Sequence, residues 1–327
     1  MMVDMTDDSP STTTAAMAKA AAAFLAALTP QQRQAVRLPP DDPHRHTWTY
    51  LPGDRPGQPV EELTAEQRGL LDDLVRAGSG DDEVTLGAVR VERARRTLVL
   101  GAVPDGDKYW VRIGGEPGNG RWSWRINGHH LAIHVEVRDD RYTVTPHFVG
   151  AEPARLPADA AGLAAGHRLL APEEDLPRAL LAAMDPDRRA VAVPGDVAPH
   201  DILTRFDPVA DPAVLPSGIP RGDLDDAQRD LFDRLLRRYL DRAPADYAAA
   251  CWAEATEAGL DAMEFTWLGP LEPGPGNGHY YCLRGPTLLI EYDNTQDDAN
   301  HAHSVWRHLT DDWGGDLLRN HYEDRHR

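Results

Sequence analysis

Two stretches of the chain carry histidine where a strand rarely has use for it: "INGHHLAIHVEV" at 126–137 and "IEYDNTQDDANHAHSVW" at 290–306. Imidazole nitrogens and carboxylates are the donors that first-row transition metals take. In the second stretch His301 and His303 are two residues apart, so in an extended chain they point the same way, about 7 Å apart, and can chelate one ion. Glu291 and Asp293 share a face for the same reason. Read as one strand, the first stretch puts His129, Leu131, Ile133, Val135 and Val137 on an apolar face. It puts His130, Ala132, His134 and Glu136 on a polar one. His130 and His134 then lie about 13 Å apart, too far to share an ion. The expected ligand set is therefore Glu291, His301, His303 and one of His129 and His130, around a single divalent ion. Iron or copper is favoured, and zinc also suits the set.

The neighbouring residues can serve such an ion. Asp293 and His134 are candidates for proton transfer, as is His147. Arg125 and Arg307 are candidates to hold an anionic substrate. Trp122, Trp124 and Trp306 are candidate walls of a pocket, and His279 and Tyr280 open the strand that leads to Glu291. The plainer alternative makes the histidines core hydrogen-bonders and pairs Glu291 with Arg125. His321 and His326, near the C-terminus, read as surface residues.

Composition narrows the function classes. A formal net charge of −19 over 327 residues repels phosphate backbones, which argues against nucleic acid as a partner and for a small molecule. The two cysteines, Cys251 and Cys282, exclude a disulfide framework and a cysteine-rich zinc site. Lys19 and Lys108 are the only lysines, and Lys108, beside Asp107, reads as a strand start, not a Schiff-base nucleophile. No run of apolar residues is long enough to span a bilayer. "MAKAAAAFLAAL" (17–28) looks like a signal core, but Asp4, Asp7 and Asp8 precede it where a signal needs positive charge. A cytoplasmic location is expected. P-loop, HExxH and GxSxG motifs are absent. "GGEPGNG" (114–120) lacks the following helix of a dinucleotide site and reads as a hairpin loop.

The elements that must position these residues are legible as patterns. "LTPQQR", "LTAEQR" and "LDDAQR" each predict a helix start, with Thr29, Thr64 and Asp225 as caps. After the third, Leu231, Leu235, Leu236 and Leu240 mark an amphipathic helix. "VTLGAVRVE", "RTLVLGAV", "KYWVRIGG", "RWSWRING", "HHLAIHVEVRD" and "RYTVTPHFVGAEP" read as one strand block; "MEFTWLGPL", "GHYYCLRGP" and "TLLIEYDN" read as a second. "KYWVRIGGEP…HHLAIHVEVRDD" echoes "HYYCLRGP…TLLIEYDNTQDD", a weak internal repeat. Proline-rich stretches at 171–177 and 207–220 read as surface loops, and "WGGDLLRNHYEDRHR" as a closing polar helix. The expected fold class is α+β, with mainly antiparallel sheets in two similar strand-rich halves and peripheral helices. Residues 1–27 form a disordered start and an Ala-rich helix, 28–205 the first half, and 206–327 the second, packed as one body.

"GEPGNGRWSWRINGHHLAIHVEV", "TPHFVGAEPA", "FTWLGPL", "HYYCLRGPTLLIEYDNTQDDANHAHSVWRHL" and "DLLRNHY" together resemble the bacterial and fungal family catalogued as domain of unknown function 3500. The resemblance covers roughly residues 60–325. The family pattern contains the HH pair, the EYDNTQ run and the HxH-V-W run, which fall here on His129, His130, Glu291, Asp293, Asn294, His301, His303 and Trp306. The family is defined by sequence and implies no reaction. His134 and His147 stand where smaller residues are usual, which implies an altered pocket. Many members begin with export signals, unlike the start read here. Three functions compete: an oxygen-using mononuclear iron or copper oxidoreductase in a biosynthetic pathway, a zinc-type hydrolase, and a non-catalytic small-molecule binding protein.

Overall fold

The computed structural model describes residues 12–39, 42, 44–80, 82–102 and 108–315. The closing helix beyond 315, His321, His326, Asp107 and the N-terminal start lie outside those residues. Among them the chain folds as α+β, with eight α-helices and eleven strands.

The helices are α1 (Thr12–Ala27), α2 (Pro30–Ala35), α3 (Ala65–Ala77), α4 (Asp82–Leu100), α5 (Ala171–Ala183), α6 (Pro186–Ala192), α7 (Asp226–Leu240) and α8 (Ala245–Glu257). All three expected caps form. Thr29, Thr64 and Asp225 each accept from the backbone N–H three residues on, and Gln32, Gln67 and Gln228 reach back to complete the box. α7 buries Phe232, Leu235, Leu236, Tyr239 and Leu240 along one stripe.

Two expectations are corrected. "VTLGAVRVE" and "RTLVLGAV" are not strands but the body of α4. Val84, Ala88 and Val91 are buried at helical spacing, and burying that stripe outweighs the modest helix penalty of β-branched residues. The stretch 171–177 is not a loop but opens α5. Pro172 sits in the first turn, where its missing N–H is not needed. Pro177, inside the helix, is tolerated because Leu180, Leu181 and the paired Glu173 are anchored in the core.

The strands are β1 (Gln58–Pro59), β2 (Tyr109–Glu116), β3 (Asn119–Gly128), β4 (Leu131–Arg138), β5 (Arg141–Thr143), β6 (His147–Ala151), β7 (Ile219–Pro220), β8 (Glu264–Leu268), β9 (Tyr280–Arg284), β10 (Leu288–Gln296) and β11 (His301–His308). They form one antiparallel sheet in the order β1-β2-β3-β4-β6-β11-β10-β9-β8-β7, with β5 beside β4. The order is palindromic about the β6–β11 seam. Each side begins with a two-residue edge strand, a single 3-10 turn and a capped helix before its four longer strands.

The two faces of the sheet differ. Leu131, Ile133, Val135, Val149, Ile290, Tyr292 and Trp306 point into the large core shared with the helices. The opposite face carries Ala132, Phe148 and Val305, which pack with Trp48, Tyr50 and Ile202 from two long covering segments. It also carries buried polar groups, among them Arg112, Arg125, His134, Glu136, Glu291 and His303, whose cover is loop backbone with donors and acceptors to spare. Cys251 and Cys282 are buried free thiols, each pushed up to about 12 by burial.

Candidate metal centre

The first histidine stretch is not one strand. β3 ends at Gly128, residues 129–130 make the turn, and β4 starts at Leu131. His130 adopts the left-handed region, with φ 60°, which a non-glycine residue enters at a cost. The turn is tied down by His130 N–H to the Tyr50 carbonyl (3.2 Å), Gly150 N–H to the His130 carbonyl (2.8 Å) and the Tyr109 hydroxyl to the His129 carbonyl (3.2 Å). His130 is thereby laid over the seam strands β6 and β11.

On β11, His301 and His303 share a face as the alternation predicts, and Gly150 lies directly opposite His303. Glycine is required there. A Cβ at 150 would fall 2.8 Å from His130 Cδ2 and 2.9 Å from the Ala302 carbonyl oxygen. The two histidine stretches therefore meet. His130 Nε2 lies 2.7 Å from His301 Nε2. The His303 ring centroid is 5.3 Å from that of His130 and 4.8 Å from that of His301. One nitrogen from each of the three comes within 4.8 Å of the other two. Two nitrogens on a tetrahedral ion at about 2.1 Å sit about 3.4 Å apart, so the closest pair opens by less than 1 Å to admit one.

Carboxylates fix two of the rings. Asp297 Oδ2 meets His301 Nδ1 at 3.0 Å, and Asp201 Oδ1 meets His303 Nδ1 at 2.7 Å, with the Tyr50 hydroxyl donating to the other Asp201 oxygen at 2.9 Å. Each contact occupies Nδ1 and turns Nε2 away from the carboxylate, the arrangement that orients metal-binding histidines. Burial, with the neighbouring imidazoles, holds His130 well below the ordinary histidine value and His301 at about 4. Both rings are neutral near pH 7, the form a metal needs.

The His129 ring lies against that of His130, centroids 3.7 Å apart and planes tilted by 32°. Its Nδ1 meets Glu92 at 3.1 Å and its Nε2 lies 3.7 Å from Glu152. Arg95 grips Glu92 with two 2.9 Å bonds. Burial alone would raise the Glu92 carboxyl, but the bonds from His129 and Arg95 outweigh it and hold the group ionised. Donors from Glu92, His129 and His130 group together, as do those of Glu152, Asp297 and His301.

Other sequence candidates lie elsewhere. Glu291 sits opposite Val305, one alternation away from His303. Its oxygens accept from Leu203 N–H, from Thr204 N–H and hydroxyl, and from the Tyr280 hydroxyl, so it is a buried anchor for the 203–204 backbone. The carboxylates whose oxygens group with His301 are Glu152 and Asp297. Asp293 does stand opposite His303. Its carboxyl accepts from Thr295, and burial pushes it up to about 7, with Asp201 and Glu291 adding to the effect. Arg125 and His134 face one another across β3 and β4, four residues along from the His130 turn. Arg125 makes no pair with Glu291. Trp122, Trp124 and Trp306 belong to the helix-facing core. Arg307 is buried and paired with Asp312 at 2.5 Å. His147 is buried opposite Trp306, and His279 stacks on Trp267.

Sequence reading missed Glu92, Glu152 and Asp201. Asp297 stood within the quoted stretch, four residues before His301. No local pattern marks Asp201.

Beside the centre lies a cavity of about 650 Å³ whose wall includes Asp297, Asn294, Asn300, Arg155 and Arg178. Its Asp297–Ala299 rim takes φ of 49°, 59° and 64°, three consecutive left-handed non-glycine residues. Strain of this kind persists where the surroundings over-determine it, commonly at functional sites. Asn300 holds the run by bonding both ways to the Arg155 backbone.

Among the described residues no helix is long and apolar enough to cross a membrane. No curated protein and no solved structure matches the chain. A family model does, that of the protein of unknown function (DUF3500), over residues 10–315, and the chain belongs to that family.

Proposed function

We propose that this chain is a metal-dependent enzyme in which His130, His301 and His303 hold one divalent ion beside a cavity for a small polar metabolite. One observation carries the reading: histidines from distant parts of the chain meet at 2.7 Å across the sheet seam, and two of them have carboxylate-fixed Nδ1 atoms. A set of neutral imidazoles suits copper, iron or zinc. We favour iron or copper serving an oxygen-using oxidation in a cytoplasmic biosynthetic pathway. The cavity lining mixes arginines and asparagines with Glu174, Asp297 and Asp298, which supports a polar substrate. The bound ion would supply Lewis acidity or a redox centre. The chain itself orients the ligand rings through Asp201 and Asp297. It also places the His129–Glu92 pair against His130, where an imidazole backed by a carboxylate can accept a proton.

That same pair favours a second reading, a zinc-type hydrolase, because hydrolysis needs a base at the metal. Elemental analysis of protein purified without added metal separates the two. Iron or copper near one per chain supports the first and zinc the second. Failure to take up any of the three on titration sinks both and leaves a non-catalytic binding protein.

A further inference from the structure

We propose that a buried arginine–histidine row in the first half of the sheet is a binding site for a compact oxyanion, separate from the histidine centre. β2, β3 and β4 place Arg112, Arg125 and His134 directly opposite one another on the loop-covered face. Their exposures are 6%, 1% and 4%. Two guanidiniums side by side in such a row repel, and each loses its hydration.

The compensation within the chain is incomplete. Arg112 has Asp42 at 2.5 Å and the Arg37 carbonyl at 2.9 Å. Glu136, on the next rung, is shared by Arg45 and Arg121. Arg125 forms no ion pair with a carboxylate among the described residues, although Asp42, paired with Arg112, acts on it from farther off. Its contacts are the carbonyls of His44 and Thr47 at 3.5 and 3.3 Å, at the long end for hydrogen bonds. The four arginines in and beside this row, Arg45, Arg112, Arg121 and Arg125, thus face two carboxylates, Asp42 and Glu136. Burial, with Arg125, Arg45 and His46 close by, keeps His134 neutral.

Unpartnered polar atoms concentrate at the same place. Arg45 Nε, Arg112 Nη1, Ser123 Oγ, Arg125 Nε and His134 Nε2 are all buried without a hydrogen-bond partner. Buried polar groups are nearly always paired, so a cluster of orphans marks an unfilled partner. Water can satisfy the donors but not the excess positive charge. An anion does both. Guanidinium forks match two oxygens of a carboxylate or phosphate better than a spherical halide.

The cover is thin and strained. Trp313 packs over the end of the row, its ring 4.2 Å from that of His134 and 5.4 Å from that of His46. It is held at φ 62° by its N–H to the Thr145 carbonyl and its indole N–H to the Pro208 carbonyl. His44, His46 and Thr47, on the segment that meets Arg125, are exposed, so a single covering segment separates the row from solvent.

The test is thermal denaturation of the full chain in an anion-poor zwitterionic buffer. Sodium acetate, sodium phosphate or sodium chloride is titrated in at matched ionic strength. The wild-type protein should show a saturable rise in Tm, about 5 °C at a hundredfold excess over Kd, with acetate or phosphate but not with chloride. Acetate or phosphate as the stronger ligand says which oxyanion class fits. Arg125→Met should lose the response, and Arg125→Lys should keep a weakened one. An ion that survives buffer exchange is read by ion chromatography of the denatured protein, at about one oxyanion per chain. Equal responses in wild type and Arg125→Met, equal effects of chloride and oxyanions, or neither a response nor a released oxyanion would overturn the proposal.

Discussion

Gly150→Ala isolates the device that builds the centre. The added Cβ would meet His130 Cδ2 at 2.8 Å and Cγ at 3.1 Å, and the Ala302 carbonyl oxygen at 2.9 Å. Ordinary contact begins near 3.4 Å, so the ring must retreat by about 0.6 Å. His130 has little room to do so. It is 2% exposed, its backbone is already left-handed, and its ring packs against that of His129 with centroids 3.7 Å apart. Overpacking of this size costs about 1–3 kcal/mol, which in a chain of this length lowers Tm by roughly 2–6 °C. Metal–nitrogen distances tolerate only about 0.2 Å, so metal affinity should also fall, by tenfold or more. Both effects are measured on Gly150→Ala, His130→Ala and the double variant, by calorimetric unfolding and by competition with a chromophoric chelator. Without the His130 ring two of the three nearest contacts vanish and the Ala302 carbonyl oxygen remains. The double variant should therefore lose less stability than the two single losses added together. Strict additivity, or unchanged metal affinity in Gly150→Ala, would refute the picture of His130 as a ring braced over residue 150.

Three further outcomes follow from the same geometry. Asp297→Asn should weaken metal binding about 10–100-fold while leaving the fold intact, because it removes the partner that fixes His301 Nδ1; isothermal titration with the purified metal checks it. Asp225→Ala should cost about 1 kcal/mol in chemical denaturation by opening the α7 capping box, and an unchanged midpoint would count against that cap. Acid should destabilise the protein through His147, which burial, with Arg242 nearby, holds at about 3 against 6.5 in the unfolded chain. Between those values the unfolded state binds a proton that the folded state refuses. Stability is therefore full above pH 6.5 and falls as the pH drops, by about 2 kcal/mol from this group at pH 5. Urea midpoints at pH 7 and 5 should differ less in His147→Leu than in the parent.

The sequence by itself determined what depends on neighbours along the chain. Three helix starts were legible because a capping box is closed by residues three apart, and Thr29, Thr64 and Asp225 cap as their spacing dictates. The helix-facing side of β4 was legible because side chains alternate, so Leu131, Ile133 and Val135 share the core. His301 and His303 were marked as a pair for the same reason. The pattern failed where local propensity and tertiary burial disagree. α4 is rich in valine yet buries a helical stripe, and α5 carries two prolines yet is anchored by its packing.

Only the tertiary structure decided the membership of the centre. Whether His130 reaches His301 depends on the β6–β11 register and on a missing side chain at 150, neither of which is local. Glu291 and Asp293 share a strand face, but strand register places one beneath the 203–204 backbone and the other opposite His303. Asp201, Glu92 and Glu152 arrive from a loop, a helix and the end of β6, and a carboxylate shows its partner only when the chain has folded. Histidine marked the chemistry in the sequence because that side chain is rare in strands; which carboxylates serve it was settled by packing across the seam of the sheet.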